Sequence, residues 1–156
     1  MNDKVKHFWH RYLGTLPADS ASHQETCEAE AFGDEPSLAN RLAAAIVSGL
    51  KTATCSALWE WEAANQPLPK TGKKFIVLDG QGEPVCVLET TEVFVIPFNE
   101  VDASFAFDEG AGDRSLEYWR EAHWKFFSRT LPNIGKEPKQ DMSLVCERFK
   151  VVYKES

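Results

Sequence analysis

Between Asp3 and Leu13 the apolar positions fall three and four residues apart, with Val5, Phe8, Trp9, Tyr12 and Leu13 on one face. That spacing predicts an amphipathic helix with an aromatic stripe. Residues 17–31 show no period and are expected to form a mobile surface linker, with Glu25, Glu28 and Glu30 facing water. A second helix is expected over 34–48. Asp34 or Ser37 would cap it, Pro36 suits its first turn, and Leu38, Leu42, Ala45 and Ile46 repeat at helical spacing up to a left-handed stop at Gly49. The period then changes. Lys51–Ser56 alternates small polar residues like a strand, and Trp59 and Trp61 are expected to share a strand face. Residues 73–79 and 84–94 are rich in Val, Ile, Phe and Thr, with Gly80-Gln81-Gly82 between them as a hairpin turn and Pro97 as a stop. A third helix is expected over 113–128, capped by Asp113 or Ser115, with Leu116, Trp119, His123 and Phe126 on one face and Pro132 and Gly135 ending it. Leu144, Cys146, Phe149, Val151 and Tyr153 make 143–153 a closing strand. Strands that dominate after residue 50 and pair in sequence predict an α+β fold, a small mixed barrel of five or six strands flanked by helices.

Composition narrows the class. The 156 residues are 43% hydrophobic and 12% aromatic, enough for one core and too aromatic for a disordered chain. No apolar run approaches the roughly 18 residues of a membrane span, and the first residues lack the apolar stretch of a secretory signal, so a cytoplasmic address is expected. Lys and Arg number 17 against 24 Asp and Glu, a net charge of −7. A polyanion would therefore meet a local basic cleft rather than a basic surface, and a small ligand is equally compatible. Cys27, Cys55, Cys86 and Cys146 are far apart with no paired spacing, which reads as free thiols rather than a disulfide framework or a structural zinc site.

Two stretches could carry chemistry. After the helix stop at Gly49 comes Lys51, whose proton affinity would fall against an apolar wall. Thr54 and Ser56 follow on one strand face. Solvated lysine and plain strand threonine are the ordinary alternatives. In Glu109–Ser115, Gly110 and Gly112 permit close backbone approach to a ligand, and the following helix start favours an anion. Asp113 and Ser115 are equally good caps there. Arg114 stands where it could meet a phosphate. His123 suits a core position, a general acid or a stacking partner for a base. Lys70, Lys73 and Lys74 form a tight basic cluster, either solvated or greeting phosphate, and Trp59 and Trp61 could stack on a base or pack internally.

Gly49, Lys51, Thr54 and Ser56 match the pattern Gly-x-Lys-x-x-(Thr or Glu)-x-(Arg or Ser), and Glu109-Gly110-Ala111-Gly112-Asp113-Arg114-Ser115-Leu116-Glu117-Tyr118-Trp119 is followed by His123, Phe126 and Phe127. On these motifs residues 32–153 resemble the ASC-1 homology (ASCH) family in its longer bacterial form, a relative of the RNA-binding PUA barrels. The resemblance implies a PUA-like domain over 32–156, with residues 1–31 as a helix and linker packed on it. It implies RNA or a nucleoside as partner. The activity it implies is hydrolysis of single-stranded RNA, with an amidohydrolase of N4-acetylcytidine-type nucleosides and a non-catalytic RNA-binding module as alternatives. In the hydrolytic versions Lys51 activates or stabilises, and Thr54 and Ser115 orient. Many relatives carry an acid where this chain has Ala111, so Glu109 or Asp113 would take its acid–base part or hold a divalent cation, the one cofactor with a place in the scheme. Ser56, Lys74, Arg114, Trp119 and His123 would contact substrate.

Overall fold

The computed structural model describes residues 2–155. The chain divides into two compact units, one made of the residues up to Ser48, Gly72–Glu89 and the segment from Lys150, the other of Gly49–Thr71 and Thr90–Phe149.

In the first unit, α1 (Asp3–Leu13) forms where the aromatic stripe predicts it, and the Asn2 side chain accepts the Val5 N–H at 2.9 Å as its cap. Its buried face of Val5, Phe8, Trp9 and Tyr12 packs with Ile76 and Val87, and Phe8 and Tyr12 also meet the Tyr153 ring. The expected linker is partly ordered into a 3₁₀ turn (Ala21–Gln24) and strand β1 (Glu28–Ala31), which pairs in parallel with β3 (Lys74–Leu78). Glu-Ala alternation has little strand propensity of its own. It becomes a strand because β3 offers a ladder of partners, a tertiary effect that local pattern does not contain. Helix α2 (Pro36–Val47) has Glu35 at its N-cap position, in place of the expected Asp34 or Ser37, and Ser37 instead donates its hydroxyl to the Glu35 carboxylate at 2.8 Å. The hairpin from β3 to β4 (Pro84–Pro97) is antiparallel, and β4 ends at Pro97 as expected.

The second unit holds β2 (Ala53–Ala57), antiparallel to β5 (Ser143–Lys154) with Cys55 opposite Cys146. Among the described residues the five strands form one mixed sheet in the order β1-β3-β4-β5-β2, and with five α-helices the fold is α+β. Trp59 and Trp61 lie in a short helix, α3 (Leu58–Ala63), not on a strand face. Two tryptophans spaced by two do not separate the two periods, and Leu, Glu and Ala around them favour helix. Helix α4 (Ala103–Glu109) was not anticipated from the pattern. Asp102 caps it by accepting the Phe105 N–H at 2.8 Å, and Gly110 closes it in the left-handed region at φ 77°. Helix α5 runs over Leu116–Thr130, so its start falls later than expected. Ser115 is its cap, and Asp113 accepts the Ser115 N–H in the turn before it. The core of this unit gathers Phe98, Phe105, Trp119, Phe127, Leu131 and Leu144, with Trp119 and Phe127 fully buried on the inner face of α5.

Candidate functional site

The Lys51 and Glu109 motifs meet inside the second unit. Thr52 N–H donates to Asp108 O at 2.7 Å, tying the stretch before β2 to the end of α4. Arg148 on β5 holds the same helix end through Asp108 at 3.2 Å. Gly110 passes so close to Leu50 that a Cβ there would lie 2.6 Å from the Leu50 carbonyl oxygen. Only glycine allows both that approach and the positive φ.

Glu109, the last residue of α4, thus enters the core with 2% of its surface exposed. Its Oε2 accepts the Trp119 indole N–H at 2.9 Å and faces His123 Nε2 at 2.6 Å. Trp119 and His123 are one helical turn apart on α5, so their rings stack at 4.3 Å and reach the same oxygen. His123 Nδ1 faces the Trp119 carbonyl oxygen at 2.9 Å. Both partners of the ring are acceptors, so each bond needs a proton on the nitrogen that makes it. Lys51, 5% exposed, donates from Nζ to Ala53 O at 2.7 Å and to Glu109 O at 3.5 Å. Burial pushes the Glu109 carboxyl up, but His123 and Lys51, with hydrogen bonds from His123 and Cys55, outweigh it and hold the group down at about 2. A carboxylate that acidic is a poor proton carrier near neutrality and a strong anchor for cations. Its other oxygen, Oε1, meets no N–H or O–H donor, and the Cys55 thiol is the polar group beside the carboxylate. Burial, with the Glu109 charge added, raises that thiol well above its ordinary range.

Lys51, Glu109, Trp119 and His123 are therefore brought together. Thr54 and Ser56 are not. Strand alternation puts Cys55 with the buried Ala53 and Ala57 on the core face, and Thr54 and Ser56 on the other, where Ser56 Oγ accepts the Trp61 indole N–H at 2.7 Å. Ser115 caps α5 by accepting the Tyr118 N–H, and Asp113 accepts the Ser115 N–H in the turn before it. Arg114, at φ 67°, donates Nε to Phe107 O at 3.0 Å and lies 3.6 Å over the Phe107 ring. Lys74 belongs to the first unit, buried between Glu89 at 2.9 Å and Glu25 at 3.8 Å. Cys55 is the member that sequence reasoning missed. The alternation that made Thr54 and Ser56 conspicuous also assigned Cys55 to the core face, the side on which Glu109 lies.

A family model of the ASCH domain matches residues 28–153. The chain belongs to the ASCH family. The crystal structure of an ASCH domain from Lactobacillus crispatus is similar at 36% identity, covering 98% of this chain and 96% of that one, with a TM-score of 0.92. That of an Enterococcus faecalis protein of the DUF984 family model is similar at 38% identity, covering 97% and 90%, with a TM-score of 0.86. The comparison with curated proteins finds no match. ASCH domains have a PUA-like fold often associated with RNA binding. Among the described residues of this ASCH protein, no helix is long and apolar enough to cross a membrane.

Proposed function

We propose that this ASCH protein binds single-stranded RNA by stacking bases on the aromatic rings that flank the loop joining α4 to α5. The observation that carries this reading is a pair of half-exposed aromatic rings at the motif. Phe107 is 52% exposed and Tyr118 45% exposed, with Leu50 close behind at 41%. Exposed aromatics flanking a glycine-rich turn suit unstacked bases, and every base offers a π-face. Arg114, whose guanidinium carbon lies 3.6 Å from the centre of the Phe107 ring, would extend that stack. The net charge of −7 tells against a long electrostatic footprint, so affinity would rest on stacking with a few phosphate contacts.

A second reading, hydrolysis of the bound RNA, is favoured by the buried Lys51–Glu109–His123 cluster beside this loop. Its acid–base groups are held by one another. Turnover would need them released or recruited by something further.

Fluorescence anisotropy with a short single-stranded RNA tests the proposal. Phe107→Ala and Tyr118→Ala should each weaken binding about 5- to 150-fold, the range for loss of one stacked base. Affinity should fall with salt at a slope of only a few charges. Equal affinity of both variants and the wild type would remove the stacking surface. Incubating the same protein with the RNA and with N4-acetylcytidine, with and without EDTA, separates a binding module from a ribonuclease and from a nucleoside amidohydrolase.

A further inference from the structure

We propose that Cys55, Glu109 and His123 form a binding site for a transition-metal dication of the zinc type. The three come from β2, the end of α4 and the middle of α5. One ligand atom of each, Cys55 Sγ, a Glu109 carboxylate oxygen and a His123 ring nitrogen, lies within 4.8 Å of the other two. Donors about 2.0–2.3 Å from one tetrahedral ion are roughly 3.3–3.6 Å apart, so closing on an ion asks for shifts of at most about 1.5 Å. Cysteine, carboxylate and imidazole are the donor types of zinc sites. Three protein ligands leave a fourth position, and His123, 17% exposed, opens the cluster toward solvent.

A second, independent observation points the same way. No N–H or O–H donates to the buried Glu109 Oε1, although such atoms are normally satisfied, and the weak Cys55 S–H is the polar group beside the carboxylate. Oε1 holds the lone pair that a metal would use once the thiol proton has gone. The groups around the three ligands are those that orient metal ligands elsewhere. His123 directs Nδ1–H to the Trp119 carbonyl oxygen, which leaves Nε2 as the ligating atom, and the Trp119 indole N–H holds the carboxylate through Oε2. Lys51 is not an obstacle. Its Nζ is held by the Ala53 carbonyl oxygen at 2.7 Å, and it is not among the three ligand groups. The sulfur donor selects zinc or cobalt over magnesium or calcium, which prefer all-oxygen shells.

The site stands independently of RNA binding, and it is tested without RNA. The full chain, stripped with a chelator, is titrated with Co²⁺. One ion per chain should bind and give a thiolate-to-cobalt charge-transfer band in the near ultraviolet, bleached by Zn²⁺ and untouched by excess Mg²⁺. Cys55→Ser should abolish the band and His123→Gln should lower affinity at least 100-fold, while Cys27→Ser, in the other unit, should change neither. Trp119→Phe keeps all three ligands and should lower affinity about 10–100-fold. A wild-type protein that binds no Co²⁺, or binds it with no thiolate band, overturns the proposal whatever the variants do. A band that survives in Cys55→Ser also overturns it.

Discussion

Replacing Glu109 by glutamine tests the electrostatic account of the buried cluster. Glutamine keeps the shape and can still accept the Trp119 indole N–H, but it removes the charge that faces His123 and Lys51. The carboxyl is held at about 2 in the fold against 4.5 for an ordinary glutamate, which links it to roughly 3 kcal/mol of stability. Breaking a buried pair by removing one partner costs about 3–5 kcal/mol, because the other charge is left alone in the interior. Both routes give a loss near 3 kcal/mol at pH 7, or about 6–12 °C in Tm for a chain of this size. The folded value lies below the unfolded one, so the contribution is fully present above about pH 4.5 and drains away as pH falls toward 2. Urea unfolding from pH 7 to pH 3 should therefore show the wild type losing its advantage over Glu109→Gln as acid is added. The difference matters rather than either curve, since Glu89 and Asp113 are also held below their ordinary values and are common to both proteins. Lys51→Met in the Glu109→Gln background should recover part of the loss by removing the stranded ammonium. A loss below about 1 kcal/mol at pH 7, with a gap between the curves that does not change with pH, would refute the reasoning.

Two further outcomes follow. Gly112→Ala should weaken RNA binding while leaving the core intact, because a Cβ there would lie 2.4 Å from the Tyr118 ring and push it out of place; anisotropy and far-ultraviolet circular dichroism on the same sample separate the two effects. Burial raises all four thiols, Cys27, Cys86 and Cys146 to about 12, so Ellman's reagent at pH 8 should find no fast-reacting cysteine in the folded protein and four in urea.

The sequence carried those parts of the fold whose pattern is local. The stripe of α1 and the β3–β4 hairpin with its glycine turn needed only nearest neighbours. Strand β1 needed β3 beside it, and α4 is two turns whose sole strong signals are the cap Asp102 and the stop Gly110. At the site the motifs named Lys51, Glu109, Trp119 and His123 because each is chemically conspicuous. They could not say that Glu109 is a helix terminus turned inward, or that its charge would be met by α5. Cys55 was hidden by its own ordinariness, since a small residue between two alanines reads as core until a carboxylate is placed beside it.

The first unit is assembled from three stretches of chain, and this has a bearing on synthesis. Residues up to Ser48 leave the ribosome before the other two stretches, with the aromatic stripe of α1 among them. Gly72–Glu89 then supplies Ile76 and Val87, but Val152 and Tyr153 emerge only after the whole of Thr90–Phe149. During that interval Phe8 and Tyr12 lack the ring that covers them in the finished protein. The nascent chain thus carries a partly covered, sticky helix until Tyr153 follows, a period in which a holding chaperone has a defined segment to grip.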